Sequence, residues 1–244
     1  MTMPENGRAP SASWPVPEEL RLALLAALSS NPAHVPAMTY AEFLDWADED
    51  TLAEWVDGKV IATSPANRRH QELVGFLYGL LDAYAKTHDL GIVLPAPFQM
   101  HLSTSGREPD VLFVARAHQD RVKTTRIEGP ADLVVEVVSP ESRGRDRGDK
   151  FYEYQSGGVR EYWLIDPDTR HADFHQLDGA GVYQIVPPAS QGIYRSPVLE
   201  GFQLRLSWLW RVSLPSINEA MLAIDGPAYA ARMIADLKDG GYLP

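Results

Sequence analysis

The chain predicts an α/β fold in which a mixed central β-sheet is flanked by helices. Three observations carry this. Short runs rich in β-branched residues, Val111-Leu112-Phe113-Val114 and Leu133-Val134-Val135, sit between polar turns and read as buried strands. Leu73, Phe76, Leu77, Leu80, Leu81 and Tyr84 recur at helical spacing, marking one apolar helix face. Asp110 and Glu136 are embedded in the two strand runs, where a carboxylate is costly unless paired, hydrogen-bonded or metal-bound.

A chain of 244 residues can bury a substantial core. It has no cysteine, which excludes disulfides and thiolate zinc sites and fits a reducing cytoplasm. The first residues show no basic stretch followed by an apolar run, so no signal peptide is expected. No apolar run is long enough to span a bilayer. The net charge of -11 argues against tight nonspecific binding to duplex DNA, which normally needs a basic footprint.

Taken in order, residues 1–36 form an extension: a Pro-, Ser- and Gly-bearing start that reads as disordered, then a short amphipathic helix opened by Pro17. Residues 37–210 form the main domain. Thr39 and Glu42 have capping-box spacing and start a helix reaching about Asp50. Asp57-Gly58 is a tight-turn signal between two short strands, the first carrying Glu54. A long helix follows over about 66–88. His70 extends its apolar stripe, where a histidine is more often a core residue than a ligand. Residues 92–94 and 98–102 read as strands, and the polar connection 116–129, with Arg116, Arg121, Lys123 and Arg126, reads first as a solvated loop and second as a candidate substrate-facing one. Beyond the Glu136 strand, a helix over roughly 145–156 is stopped by Gly157-Gly158. A strand over 159–166, an added hairpin of 171–177 with 182–186, and an edge strand at 202–206 complete the domain. Residues 211–244 are a helical tail, broken near Gly226-Pro227.

Two acids on neighbouring strands suit a divalent cation such as Mg²⁺, which takes oxygen ligands and keeps several waters. Such a cation lowers the pKa of water and neutralises charge on phosphorus. A lysine two residues after Glu136 would share its face, but that position is Val138. Lys150 lies four residues after Asp146, on one helix face, and its long side chain reaches toward Glu136. The plainer alternative is a surface lysine paired with Asp146.

The Pro109-Asp110 pair, Glu136-Val137-Val138 and the downstream Lys150 resemble the PD-(D/E)XK nuclease superfamily. More closely, Glu136-Val137-Val138-Ser139-Pro140, Asp146, Lys150, Gly158-Val159-Arg160-Glu161-Tyr162-Trp163 and Asp166-Pro167 resemble the bacterial Uma family of restriction-endonuclease-like proteins. The resemblance implies a restriction-endonuclease-like core with Asp110 and Glu136 as ligands of Mg²⁺ or Mn²⁺. It further implies Lys150 as a relocated catalytic lysine, Glu54 as an additional acid, and His70 as a candidate neighbour. It also implies a homodimer that hydrolyses phosphodiester bonds, most simply in DNA. A catalytically silent nuclease-fold binding module and a phosphodiesterase acting on small nucleotides are the alternatives. The substrate-binding residues are not readable from the sequence.

Overall fold

The computed structural model describes residues 37–47, 53–62, 67–139 and 143–243, which fall into two compact units divided after residue 63. The helix expected from Pro17 lies outside the described residues, and the helix expected to reach Asp50 ends earlier, at Trp46, where Ala47 is extended (φ -75°, ψ 138°).

In the first unit, helix α1 (Tyr40–Trp46) opens on the expected capping box, Thr39 and Glu42 each bonding back to the other's backbone. Its Phe43 and Trp46 pack with Ala53 and Val60. Strands β1 (Ala53–Val56) and β2 (Lys59–Ala62) form an antiparallel hairpin. Asp57 and Gly58 turn it with φ of 47° and 80°, the paired left-handed conformation that a two-residue hairpin loop requires.

The second unit is built on a six-stranded sheet. Its strands are β3 (Gly91–Pro95), β6 (Val111–Ala115), β8 (Leu133–Val137), β9 (Glu161–Asp166), β10 (His171–Leu177) and β11 (Tyr183–Ile185). Their order is β11-β10-β9-β8-β6-β3, with β8 and β9 parallel and the other pairs antiparallel. Alternation sorts the side chains. Val111, Phe113, Leu133, Val135 and Val137 face the stripe of helix α2 (Arg68–Thr87). That cluster also takes in α5 (Leu206–Leu209) and the first turns of α6 (Ile217–Asp239). Leu112, Val114, Val134 and Val138 face the other way, toward Tyr154, Met100 and Ile127.

Three further short strands lie on that second side: β4 (Gln99–His101), antiparallel to β5 (Ser105–Arg107) and parallel to β7 (Arg126–Glu128). A last pair, β12 (Ile193–Arg195) and β13 (Gln203–Arg205), is antiparallel. The helix expected over 145–156 is two helices, α3 (Arg143–Arg147) and α4 (Asp149–Gly157). Gly148 separates them with φ -114° and ψ -94°, far from helical dihedrals. The tail helix α6 kinks where expected, at Asp225 (φ -145°, ψ 47°) just before Pro227. The loop after β6, beginning at Arg116, lies at the opposite end of that strand from Asp110. At about 3.3 Å per residue its start is roughly 20 Å away, and the segment returns in β7, where Arg126 pairs with Gln99 of β4.

Candidate metal centre

Asp110 immediately precedes β6, and Glu136 lies in β8. Val111 pairs with Val135 in antiparallel register, so one further step sets Asp110 opposite Glu136. Both belong to the face shared with Leu112 and Val134. The sequence folds this way because the apolar alternation on either side of each acid fixes the register, and a slip of one residue would turn every core side chain outward.

Each acid is held through one oxygen. Asp110 Oδ2 accepts the Val137 N–H at 2.7 Å and lies 3.2 Å from His70 Nε2. Glu136 Oε1 accepts from Lys150 Nζ at 2.8 Å and from the Tyr154 hydroxyl at 2.7 Å. Among the described residues, Asp110 Oδ1 and Glu136 Oε2 have no hydrogen-bond partner. The opposed carboxylates therefore each leave one oxygen uncommitted.

Lys150 is not a surface lysine. It is 6% exposed, and besides Glu136 it lies 3.4 Å from Asp146 Oδ1, an acid that is itself 1% exposed. Both sequence readings of Lys150 hold in part: it pairs with Asp146 at i, i+4, and it reaches Glu136. His70 likewise serves two ends. It is buried at the head of the α2 stripe, and its Nε2 touches Asp110 while its Nδ1 has no partner.

Burial pushes Glu136 up to about 8. The charges of Asp146 and Asp110 add to this and Lys150 pulls against it. For His70, burial opposes the imidazolium. The hydrogen bond and charge of Asp110, the charge of Asp146 and the Val137 backbone outweigh it, so its pKa is raised. Tyr162, whose hydroxyl donates to the Asp146 carbonyl at 3.0 Å, is raised well above the usual phenol value by burial and by the same acids.

The set fits a hard divalent cation. Among the described residues no group of three His, Cys, Asp or Glu side chains is arranged to hold a metal. Mg²⁺ needs only one or two protein carboxylates and completes its octahedron with water and substrate oxygens. Two facing carboxylates with an unspent oxygen each meet that requirement.

Sequence reasoning missed two members. Tyr154 follows Lys150 by four residues, so the i, i+4 rule that linked Asp146 to Lys150 pointed to it as well. Asp146 was weighed only as a partner for a surface lysine. Glu54 is 2% exposed on β1 and belongs to the first unit. Its association with the two strand acids rests on the family resemblance alone.

The family model "Uma2: Putative restriction endonuclease" matches residues 40–207. The fold is similar to the crystal structure of "a putative nuclease belonging to DUF820" from Anabaena variabilis ATCC 29413. The TM-score is 0.62 at 15% identity, over 71% of this chain and 97% of that one. No curated protein matches the sequence. The family match spans most of the chain, and the similar structure carries the same mixed-sheet architecture. The chain belongs to the Uma2 family, with a restriction-endonuclease-like fold.

Proposed function

We propose that this protein is a Mg²⁺- or Mn²⁺-dependent endonuclease that hydrolyses phosphodiester bonds in DNA. The observation that supports this best is the facing pair Asp110 and Glu136 with the Lys150 ammonium 2.8 Å from Glu136. In this reading Asp110 and Glu136 would hold the cation. When bound, the cation supplies Lewis acidity toward the phosphoryl group and a more acidic water.

The protein's own groups do the positioning. The Val137 N–H and His70 fix Asp110, and Tyr154 with Lys150 fixes Glu136 through Oε1. Burial raises the pKa of Glu136 while Lys150 pulls against it, so cation binding, which needs the carboxylate, is favoured as pH rises. Among the described residues Lys150 is the one cation in contact with Glu136. It is placed to offset negative charge developing on a phosphate seated against the two acids, a stabilisation that is strong in a water-poor site.

The net charge of -11 favours a second substrate class, small nucleotides, since each phosphate contact to a polynucleotide normally requires a basic side chain. A cleavage panel separates the two. Single- and double-stranded DNA, RNA and cyclic or linear nucleotides are incubated with Mg²⁺ or Mn²⁺, against EDTA and Asp110→Asn controls. Metal-dependent cleavage of DNA that Asp110→Asn abolishes is expected. Cleavage of nucleotides alone would shift the reading to the second class, and no cleavage in any arm would leave a silent binding module.

A further inference from the structure

Arginines from three separate segments converge on a single groove of about 420 Å³ in the second unit, lined by Arg68, Arg69, Arg170 and Arg211 with Pro167 and Trp210. Among the described residues Glu72 is the only acid in its lining, so that lining carries a net positive charge in a protein whose total is -11. That contrast needs a reason.

The charges are not spent internally. Arg69 is braced by two neutral carbonyls, donating to Leu209 O at 2.7 Å and Arg211 O at 2.8 Å. Its contact with Glu72 is longer, 3.4 Å. Arg68 pairs with Glu72 at 2.7 Å while its side chain is 91% exposed, an arrangement worth little in water. Arg211 has only a 3.4 Å contact with the exposed Glu219. Arg170, held at φ 52° in the β9–β10 turn, has no partner for its guanidinium among the described residues.

The groove also lies at the reacting end of the sheet. Arg69 precedes His70, whose Nε2 is 3.2 Å from Asp110. Pro167 follows Asp166, the last residue of β9, and Ile165 of that strand pairs with Val137, next to Glu136. One wall therefore adjoins a residue that touches Asp110, and the other follows the strand paired with the one that carries Glu136.

We propose that this groove binds a single-stranded segment of the DNA substrate, flanking the phosphodiester that is cut. Its phosphates would meet Arg68, Arg170 and Arg211, and its sugars and bases the apolar wall of Pro167, Trp210 and Val212. A volume of about 420 Å³ matches small-ligand pockets of roughly 300–1,000 Å³ and suits a short unpaired stretch, not a duplex. Phosphate-tracking cations beside an aromatic face are how single strands are held. The proposal rests on the nuclease reading for its substrate class, and the test separates the two.

Anisotropy of fluorescein-labelled dT12 and of a matched duplex is measured in EDTA against salt, for the full chain and for Arg170→Glu with Arg68→Glu. Lys123→Glu, outside the lining of the groove, is the charge control. The parent is expected to bind dT12 in preference to duplex. The double variant should bind at least tenfold more weakly, with a salt slope lower by about 0.7 per lost contact, and melt like the parent because both side chains are exposed. Lys123→Glu should bind like the parent. Equal binding by the double variant, an equal loss in Lys123→Glu, a preference for duplex, or no binding by the parent each overturns the groove assignment. Cleavage is scored separately in Mg²⁺: binding that needs the arginines without any cleavage removes the hydrolytic reading and leaves the groove standing. Cleavage by a double variant that binds like the parent does the reverse.

Discussion

Lys150 Nζ lies 2.8 Å from Glu136 Oε1, although the two residues belong to different elements and are separated by a helix break at Gly148. The strand position that shares Glu136's face, Val138, is packed in the apolar cluster. The site thus obtains from a helix the positive charge that the strand does not provide.

Lys150→Ala should lower turnover by roughly 10²–10⁴-fold, the usual worth of a positioned proton-transfer or charge-assisting group. It should also destabilise the protein. Removing one partner of a buried ion pair costs on the order of 3–5 kcal/mol, and both Glu136 and Asp146 would lose their cation. Adding Val138→Lys in the Lys150→Ala background places an amine on the strand beside Glu136. Partial recovery of both turnover and urea midpoint is expected. A Lys150→Ala protein that cleaves at the parental rate would remove Lys150 from the chemistry.

Asp110 and Glu136 should respond to metal as one site. Saturating Mn²⁺ or Mg²⁺ at 100 times its dissociation constant stabilises the folded state by about 2.7 kcal/mol, a rise of several degrees in melting temperature for a chain of this size. Asp110→Asn and Glu136→Gln should each abolish that rise. Persistence of the full shift in both variants would show that the cation binds elsewhere.

His70 should stabilise the metal-free protein most strongly in acid. Its folded pKa is raised above the ordinary histidine value of 6.5. The contribution of its charged contact with Asp110 is therefore fully present below about 6.5 and is lost as pH rises through the folded value. Urea unfolding in EDTA should show the stability gap between parent and His70→Ala narrowing from pH 6 to pH 9. A gap independent of pH would make His70 a packing residue only.

Glu161 offers a pH dependence far from the acids. It is fully buried and accepts from Trp163 Nε1, the Tyr194 hydroxyl and the Ser196 hydroxyl, each at 2.6 Å. Burial outweighs these donors and raises its pKa above the ordinary glutamate value of 4.5. Between that value and the raised one, the folded state holds more protons than the unfolded state, so stability falls as pH increases. Glu161→Gln keeps the shape and removes the charge. Its stability relative to the parent should improve steadily from pH 5 upward. A flat difference across that range would show that Glu161 stays ionised in the fold.

Much of this was legible because apolar pattern and register determine it. The strands around Asp110 and Glu136, the α2 stripe ending at His70, the Asp57-Gly58 turn and the kink before Pro227 all follow from local rules. What was missed lacks such a pattern. Ser105-Gly106-Arg107 and Arg126-Ile127-Glu128 carry too few apolar residues to announce strands, yet become β5 and β7 by pairing with β4. The break at Gly148 hides in an otherwise helical stretch. The arginine groove draws on residues 68–69, 170 and 211, which are neighbours only after the sheet and helices pack. The burial of Lys150 was beyond spacing arguments, because i, i+4 pairing looks the same on a wet or a dry helix face.

The docking of α4 has a consequence of its own. Arg107, fully buried on β5, grips Glu153 through two bonds of 2.9 and 2.6 Å. Gly157 lets Leu102 approach so closely that a Cβ there would sit 2.8 Å from Leu102 Cδ1. These contacts, remote from any phosphate, are what press Lys150 and Tyr154 against Glu136. The two acids are in register as soon as β6 and β8 pair, while the lysine arrives only when the helix seats. In the proposed metal-dependent reading, loosening the helix would therefore lower turnover more than it lowers capture of the ion. Affinity for metal and catalytic rate can then be tuned by different parts of the molecule, with substitutions at the Arg107–Glu153 and Gly157–Leu102 contacts acting as a dimmer chiefly on the second.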